Sequence, residues 1–412
     1  MSMITADRKG RALRAVENFT FQHPQLVGRG LGVLRAVKPV LRVGDVAIVT
    51  RYSDVREILS RDDDFTIGLY TPKMEAAAGH FILAMQSTPR YEHDVSVLRL
   101  AVPRSDLPRI QDVVDGVLDE IFADTAGRLD VVRDLTDKVP ARLSARYFGT
   151  PGPDETTLVH WGRRIFREFF YNIRNDPVIA GPSAEAATGL VQHIGENITA
   201  RNGRPSGADD VLDRMLQLKI DGHLGVDDAW VTSYLFGMVV GMLPLTSKAT
   251  ALAIDVLLDR PGMLAGAQEA ARTNDDGLLW GYISEAMRIA PQSPGQFRLA
   301  EGDWTIGAER GRSYTIPAGT RVMAATQSAM FDRRVFPHPR EVRTDRPASQ
   351  HLHFGYGLHS CYGRYISYQA QIPRMVKALL SQRNLRRADG GAGQLAWQDA
   401  FPDSLTVEFD PS

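Results

Sequence analysis

Only one cysteine occurs in the 412 residues, at position 361. It cannot close an internal disulfide, so a disulfide framework is excluded and a reducing compartment fits. Long hydrophobic runs are scarce too. The longest, YLFGMVVGMLPL at 234–245, covers about a dozen residues, too few to cross a bilayer and better read as a buried helix. The opening MSMITADRKGRALRAVENF has basic residues but no apolar core, so it does not read as a secretory signal. A cytoplasmic protein without a membrane anchor is expected. Charge of one sign is missing as well: 48 Lys and Arg face 49 Asp and Glu, for a net charge of −1. That leaves no electrostatic case for nucleic acid or an anionic membrane. Repeats, low-complexity tracts and Gly/Ser/Pro linkers are absent. One domain over 1–412 is therefore expected, although the length alone would allow two or three.

What is present reads as mainly α with a small β portion. Short β-like runs, VLRVG and VAIVT, precede the helical YSDVREILSR. Residues 66–90 look like loop. From about 91 to 290, apolar residues recur every three or four positions, as in DVVDGVLDEIFAD, LVHWGRRIFREFF, ADDVLDRMLQLK and LLWGYISEAMRIA. After Pro291 short β-like runs return (QFRLA, WTIGA, YTIPAGTRVMAAT), then the proline-bearing FPHPREVRTDRP, a cysteine loop, a helix and a strand-like SLTVEF.

The cysteine lies in HFGYGLHSCYGRYIS, 353–367. Gly355 and Gly357 permit positive φ and close backbone approach. Cys361 is expected at the start of the following helix, where free N–H groups would draw the thiol toward thiolate. A lone cysteine is more often a small buried hydrophobe. A thiolate among backbone amides, beside Phe354 and Tyr356, suits a soft metal ligand and haem iron in particular.

FGYGLHSCYG, 354–363, resembles the haem-binding loop of the cytochrome P450 family, Phe-x-x-Gly-x-His-x-Cys-x-Gly, at every fixed position. The resemblance implies a single triangular domain with haem b held between the central and cysteine-side helices. It makes Cys361 the proximal ligand, with His359 on a haem propionate, Phe354 beside the sulfur and Gly355 and Gly363 lining the loop. EAMR places Glu285 and Arg288 three apart, 76 residues before Cys361. By itself this is a minor surface pair. The resemblance joins it to Arg346 as a structural trio. Arg298 in FRLA takes the place of the family's propionate arginine. Near TPRYEHDVSVLRLAV the family spaces a histidine and an arginine four apart. Here His93 and Arg99 are six apart, and both are candidates for haem contact. The likeness is dense from about 227 onward and thinner before.

The central helix departs from the pattern. Members of the family usually place an acid and an alcohol above the haem to relay protons. Here Gly241 is in place, Pro244 stands where the acid belongs and Leu245 where the alcohol belongs, with Thr246 as the alcohol if the count shifts by one. Proline removes a helical hydrogen bond and is expected to kink the helix there. Pro373 is expected to kink or end the helix after Cys361.

The resemblance therefore implies a haem-thiolate monooxygenase that hydroxylates or epoxidises a lipophilic molecule of secondary metabolism, fed electrons by a ferredoxin or flavoprotein. Arg364, Arg374 and Lys377 are candidates for its docking face. The missing relay supports another reading, a peroxygenase or a hydroperoxide isomerase or dehydratase. A haem-based sensor or carrier is a third. The pocket candidates are Phe81, Ile82, Leu83, Met85, Met238, Met242, Leu245, Gly295, Gln296, Phe297 and Phe401, nearly all apolar as a lipophilic ligand requires. Gln296 is the polar exception.

Overall fold

A computed structural model describes residues 2–411, with side-chain surroundings from Gly10 onward. The chain forms two compact units. The first takes the chain through Phe65, then Ala251–Ser360 and Leu380–Phe409; the second takes Thr66–Thr250 and Cys361–Leu379 with a short C-terminal tail.

The first unit holds most of the β structure. Val40–Val43 and Val46–Val49 pair antiparallel around Gly44, whose φ of 62° a side chain would resist. Val46–Val49 runs parallel to Arg321–Ala324, which pairs antiparallel with Gln296–Ala300. These β-branched runs bury one face against Val55, Ile58, Leu59 and Phe336 in a single apolar cluster. Trp304–Ile306 pairs with Tyr314–Ile316, and Arg386–Arg387 with Thr406–Glu408. The helix Asp276–Ile289 starts at Asp275, whose carboxylate accepts from the Leu278 N–H at 2.9 Å.

The second unit is helical. It includes Pro89–Ala101, Leu107–Ala123, Glu155–Phe166, Pro177–Ala200 and Val211–Ile220. The central helix, Asp228–Leu258, runs 31 residues and passes through Pro244 without a break in assignment. Among the described residues it is the one helix with the length and hydropathy of a membrane span, and 61% of its apolar window is buried inside the protein.

One expectation changes. Residues 66–90 are not all loop, because Thr71–Ala78 is helical, with a proline in its first turn where no donor is needed. The helix after Cys361 runs without a break over 364–380, with one wider turn, Ser367–Gln371, inside it just ahead of Pro373. Such a turn is a usual companion of a bend and makes room for the proline's ring and missing N–H.

Candidate functional site

In the first unit, Glu285 and Arg288 are not a surface pair. Both are essentially inaccessible, at 0% and 1%. Arg288 donates from Nε and Nη2 to the two Glu285 oxygens, each at 2.7 Å. Arg346 adds its Nε at 3.3 Å from Oε1, and the Arg343 N–H donates to Oε2 at 3.1 Å. Burial alone would push the carboxyl up. The donors outweigh it and hold the carboxyl down to about 2. The remaining guanidinium donors tie down the chain ahead of the cysteine loop. Arg288 donates to the Pro339 carbonyl at 2.8 Å, and Arg346 to the Pro337 and His338 carbonyls at 3.0 and 3.1 Å. Glu285, Arg288 and Arg346 thus form one buried cluster.

Arg298 is buried on its strand rather than exposed, and donates to the Phe297 carbonyl at 2.8 Å. Its charge acts on His359: burial first, and Arg298 second, lower that imidazole to about 3. His359 is thus neutral at physiological pH and offers one N–H. The loop between them needs its glycines. Gly355 and Gly357 have φ of 74° and 75°. A Cβ on Gly357 would lie 2.1 Å from the Leu59 carbonyl oxygen, and one on Gly355 would lie 2.8 Å from the Gln296 amide nitrogen. Tyr356 is pinned under Arg56, whose guanidinium sits 4.1 Å from the ring centre. Gly295 has a packing duty of its own, since a Cβ there would sit 2.5 Å from the Ala324 carbonyl oxygen. Phe354, Gln296 and Phe297 are half-buried, and Phe401 is buried in strand Phe401–Ser404.

Cys361, in the second unit, is accessible, yet protein crowds its sulfur from the sides. Desolvation raises the thiol to about 11, against the opposing Gly363 N–H and Arg364. The expected drift toward thiolate is therefore corrected. Burial outweighs whatever the helix that starts at Arg364 contributes to this free thiol. Gly363 has an ordinary φ of −81°, and a Cβ there would meet nothing within 4 Å. Arg99 is exposed, and its charge acts on the phenol of Tyr362, the neighbour of Cys361. His93 is engaged elsewhere: its Nε2 lies 2.8 Å from the Leu224 carbonyl oxygen. Of the cationic docking candidates, Arg364 is exposed, whereas Arg374 is ion-paired to Asp115.

The middle of the central helix is buried except along one stripe. Gly237, Met238, Gly241, Met242 and Leu245 are half-exposed, while Val239, Val240, Leu243, Pro244 and Thr246 are buried. The spacing is that of one helical face. Gly241 opens onto space where a Cβ would meet nothing within 4 Å. Leu245 lies on the stripe and Pro244 beside it, packed toward Gly162, where a Cβ would come 3.6 Å from its ring. Thr246 turns off the stripe, its hydroxyl 3.5 Å from that of Ser367. Phe81 packs across Gly237 and near Phe236, at a ring separation of 6.5 Å. Ile82 and Met85 are buried, and Leu83 is half-buried. Lys248, which sequence reasoning passed over, is 1% exposed. The available signal was a lone charge in an apolar run. A surface cavity of about 640 Å³ between Gly32, Arg35 and Phe331–Glu341 includes none of the predicted site residues.

The family description "Cytochrome P450" matches residues 277–375. A bifunctional dioxygenase–epoxy alcohol synthase of Fusarium oxysporum is 29% identical over 65% of this chain, a match spanning only 23% of that protein. Nocardicin C N-oxygenase of Nocardia uniformis is 30% identical over 82% of this chain and 83% of its own length. Among solved structures, the P450 haem domain of Tepidiphilus thermophilus overlays with a TM-score of 0.78 over 95% of both chains, at 19% identity. CalO2 overlays at 0.77 over 95% and 97%, at 21% identity. The fold is shared with both, and on the nearly full-length likeness to the nocardicin enzyme this chain belongs to the cytochrome P450 family.

Proposed function

We propose that the protein is a haem-thiolate monooxygenase that inserts oxygen into a lipophilic small molecule, acting as one domain over 1–412 in the cytoplasm. The observation that carries this reading is the cysteine loop. The family holds haem b through a cysteine thiolate, and Cys361 is the only cysteine in the sequence. The residues fit the group. The sulfur is accessible, Gly363 and Gly241 leave room that side chains would take, and the buried Arg298 lies close enough to His359 to shift it. Arg298 would pair with a propionate as a cation. Neutral His359 would donate one hydrogen bond, and Arg99 would add a second charge.

Bound haem would supply the redox chemistry of dioxygen. The chain's own residues orient the substrate and exclude water. The half-exposed stripe Met238, Gly241, Met242 and Leu245, with Phe81, offers an apolar wall that binds by packing. Gln296 would supply one orienting polar contact. Electrons would come from a ferredoxin or flavoprotein, with the exposed Arg364 as a docking contact, whereas Asp115 holds Arg374. The test is the carbon monoxide difference spectrum of the reduced, haem-loaded protein. Cys361→Ala should lose the thiolate band. A C361A protein with an unaltered spectrum would overturn the assignment.

A second reading is favoured by one feature, the absence of a carboxylate from the 241–246 turn. A peroxygenase, or a hydroperoxide isomerase or dehydratase, receives a substrate that already carries the peroxide bond and needs no relay. The fungal relatives carry an epoxy alcohol synthase activity in their name beside a dioxygenase one. Turnover with hydrogen peroxide compared with turnover fed by a reductase separates the readings.

A further inference from the structure

In the first unit the helix Pro24–Val37 is held from one side. Leu31 is buried, and a Cβ on Gly28 would lie 2.8 Å from the Gln327 amide nitrogen. Arg35 donates to the Ser328 hydroxyl at 2.8 Å and to the Phe331 carbonyl at 2.9 Å. The opposite face is apolar and open. Leu26, Val33 and Val37 are 53%, 66% and 81% exposed, and their spacing of seven and four sets them in one stripe. The balanced charge of the whole chain hides a local excess here. Between Gly10 and Val43 the basic residues are Arg11, Arg14, Arg29, Arg35, Lys38 and Arg42, and the acidic one is Glu17. Arg29, Lys38 and Arg42 are exposed, and among the described residues no carboxylate pairs with them. The surface cavity of about 640 Å³ adjoins the stripe, because Gly32 and Ala36 line it and each precedes a valine of the stripe by one residue. Arg333, Arg334 and Arg340 line it as well. Its two acids are engaged: Asp332 accepts from Arg334 at 3.0 Å and from the Tyr52 N–H at 3.2 Å, and Glu341 stands 3.6 Å from His338. Arg333 and Arg340 are exposed, and among the described residues no carboxylate pairs with either.

We propose that this face docks the protein reversibly on an anionic phospholipid surface, with a lipid phosphate in the cavity at Arg333 and Arg340 and with Leu26, Val33 and Val37 set among the outer acyl segments. Guanidinium groups suit a phosphate, which each can grip by two hydrogen bonds. The bare stripe suits hydrocarbon. An anionic phospholipid carries both chemistries side by side. A free phosphate ester would leave the stripe wet, and a second copy of this chain would bring the same cations face to face. Apolar area and charge act together in such a contact, which is peripheral and spans nothing. The proposal goes beyond the monooxygenase reading and does not depend on it.

The test is flotation of the haem-loaded protein with vesicles of phosphatidylcholine alone, or of phosphatidylcholine and phosphatidylglycerol in equal parts. Wild type should float with the second kind only, and added salt should release it. Arg333→Gln combined with Arg340→Gln should weaken that binding about 30-fold, from about fivefold for each cation at an anionic surface. Val33→Ser combined with Val37→Ser leaves every charge in place and should weaken it about tenfold or more. These side chains are exposed, so circular dichroism and haem content should match wild type. Wild type that floats equally with both vesicles, or with neither, would overturn the proposal, as would either double variant that binds like wild type. A wild-type dimer in light scattering that the double valine variant dissolves would also overturn it, since a second copy then covers the stripe. Calorimetric binding of glycerol 3-phosphate by a protein that ignores vesicles would do the same, and would make the cavity a site for free phosphate esters.

Discussion

Glu285 shows how much one side chain can organise when its donors are in place. Its folded carboxyl sits at about 2, below the unfolded value of about 4.3. The folded state therefore binds fewer protons, and the resulting stability, ~3 kcal/mol, is present above pH 4.3 and lost as pH falls toward 2. Glu285→Gln should cost roughly 3–5 kcal/mol in urea unfolding at pH 7, since Arg288 would stay buried and unpaired. It should also remove the steepest part of acid unfolding, read by circular dichroism between pH 4 and 2. Gly357→Ala should be nearly as damaging, because positive φ and the Leu59 carbonyl both reject a Cβ. Reduced haem retention at unchanged helix content is the expected observation. These residues were legible in unequal degrees. The loop glycines and Cys361 could be read from spacing. The depth of Glu285–Arg288 could not, because a pair three apart on a helix looks the same at a surface and in a core. The protonated thiol was missed because desolvation depends on neighbours that only the fold supplies.

At the scale of the element, hydrophobic periodicity found most helices, and β-branched runs found the strands around Gly44 and Pro291. It did not find Thr71–Ala78, which is short and surrounded by glycine and proline. Nor did it find the wider turn Ser367–Gln371 inside the helix after Cys361, since that sequence carries no breaker of its own. The wider turn stands just ahead of Pro373 and accommodates its missing donor, so Pro373→Ala should change stability by no more than about 1 kcal/mol. Pro244 stands inside the central helix. Pro244→Asp with Leu245→Thr should raise reductase-coupled turnover above wild type, measured as substrate oxidised per electron pair. An unchanged ratio would mean that the turn at 244–245 never handles protons.

At the scale of the whole molecule, neither unit is continuous in the chain. The helical unit borrows Cys361–Leu379 from beyond residue 360, and those residues are bound into it. Gln111 donates to the Gln369 carbonyl at 2.9 Å, Tyr365 to the Val102 carbonyl at 3.2 Å, and Asp115 pairs with Arg374. A fragment of residues 66–250 should therefore keep far-ultraviolet helix signal but lose near-ultraviolet signal and bind a hydrophobic dye, as loosely packed states do. The sequence hid this division because no linker composition marks it. Residues 330–347, finally, contain neither helix nor strand and are held by guanidinium groups gripping their carbonyls. That makes the segment a clasp. A trypsin nick after the exposed Arg340 would leave both cut ends fastened, so a severed chain should migrate as intact under native conditions and come apart only when acid or denaturant loosens the grip.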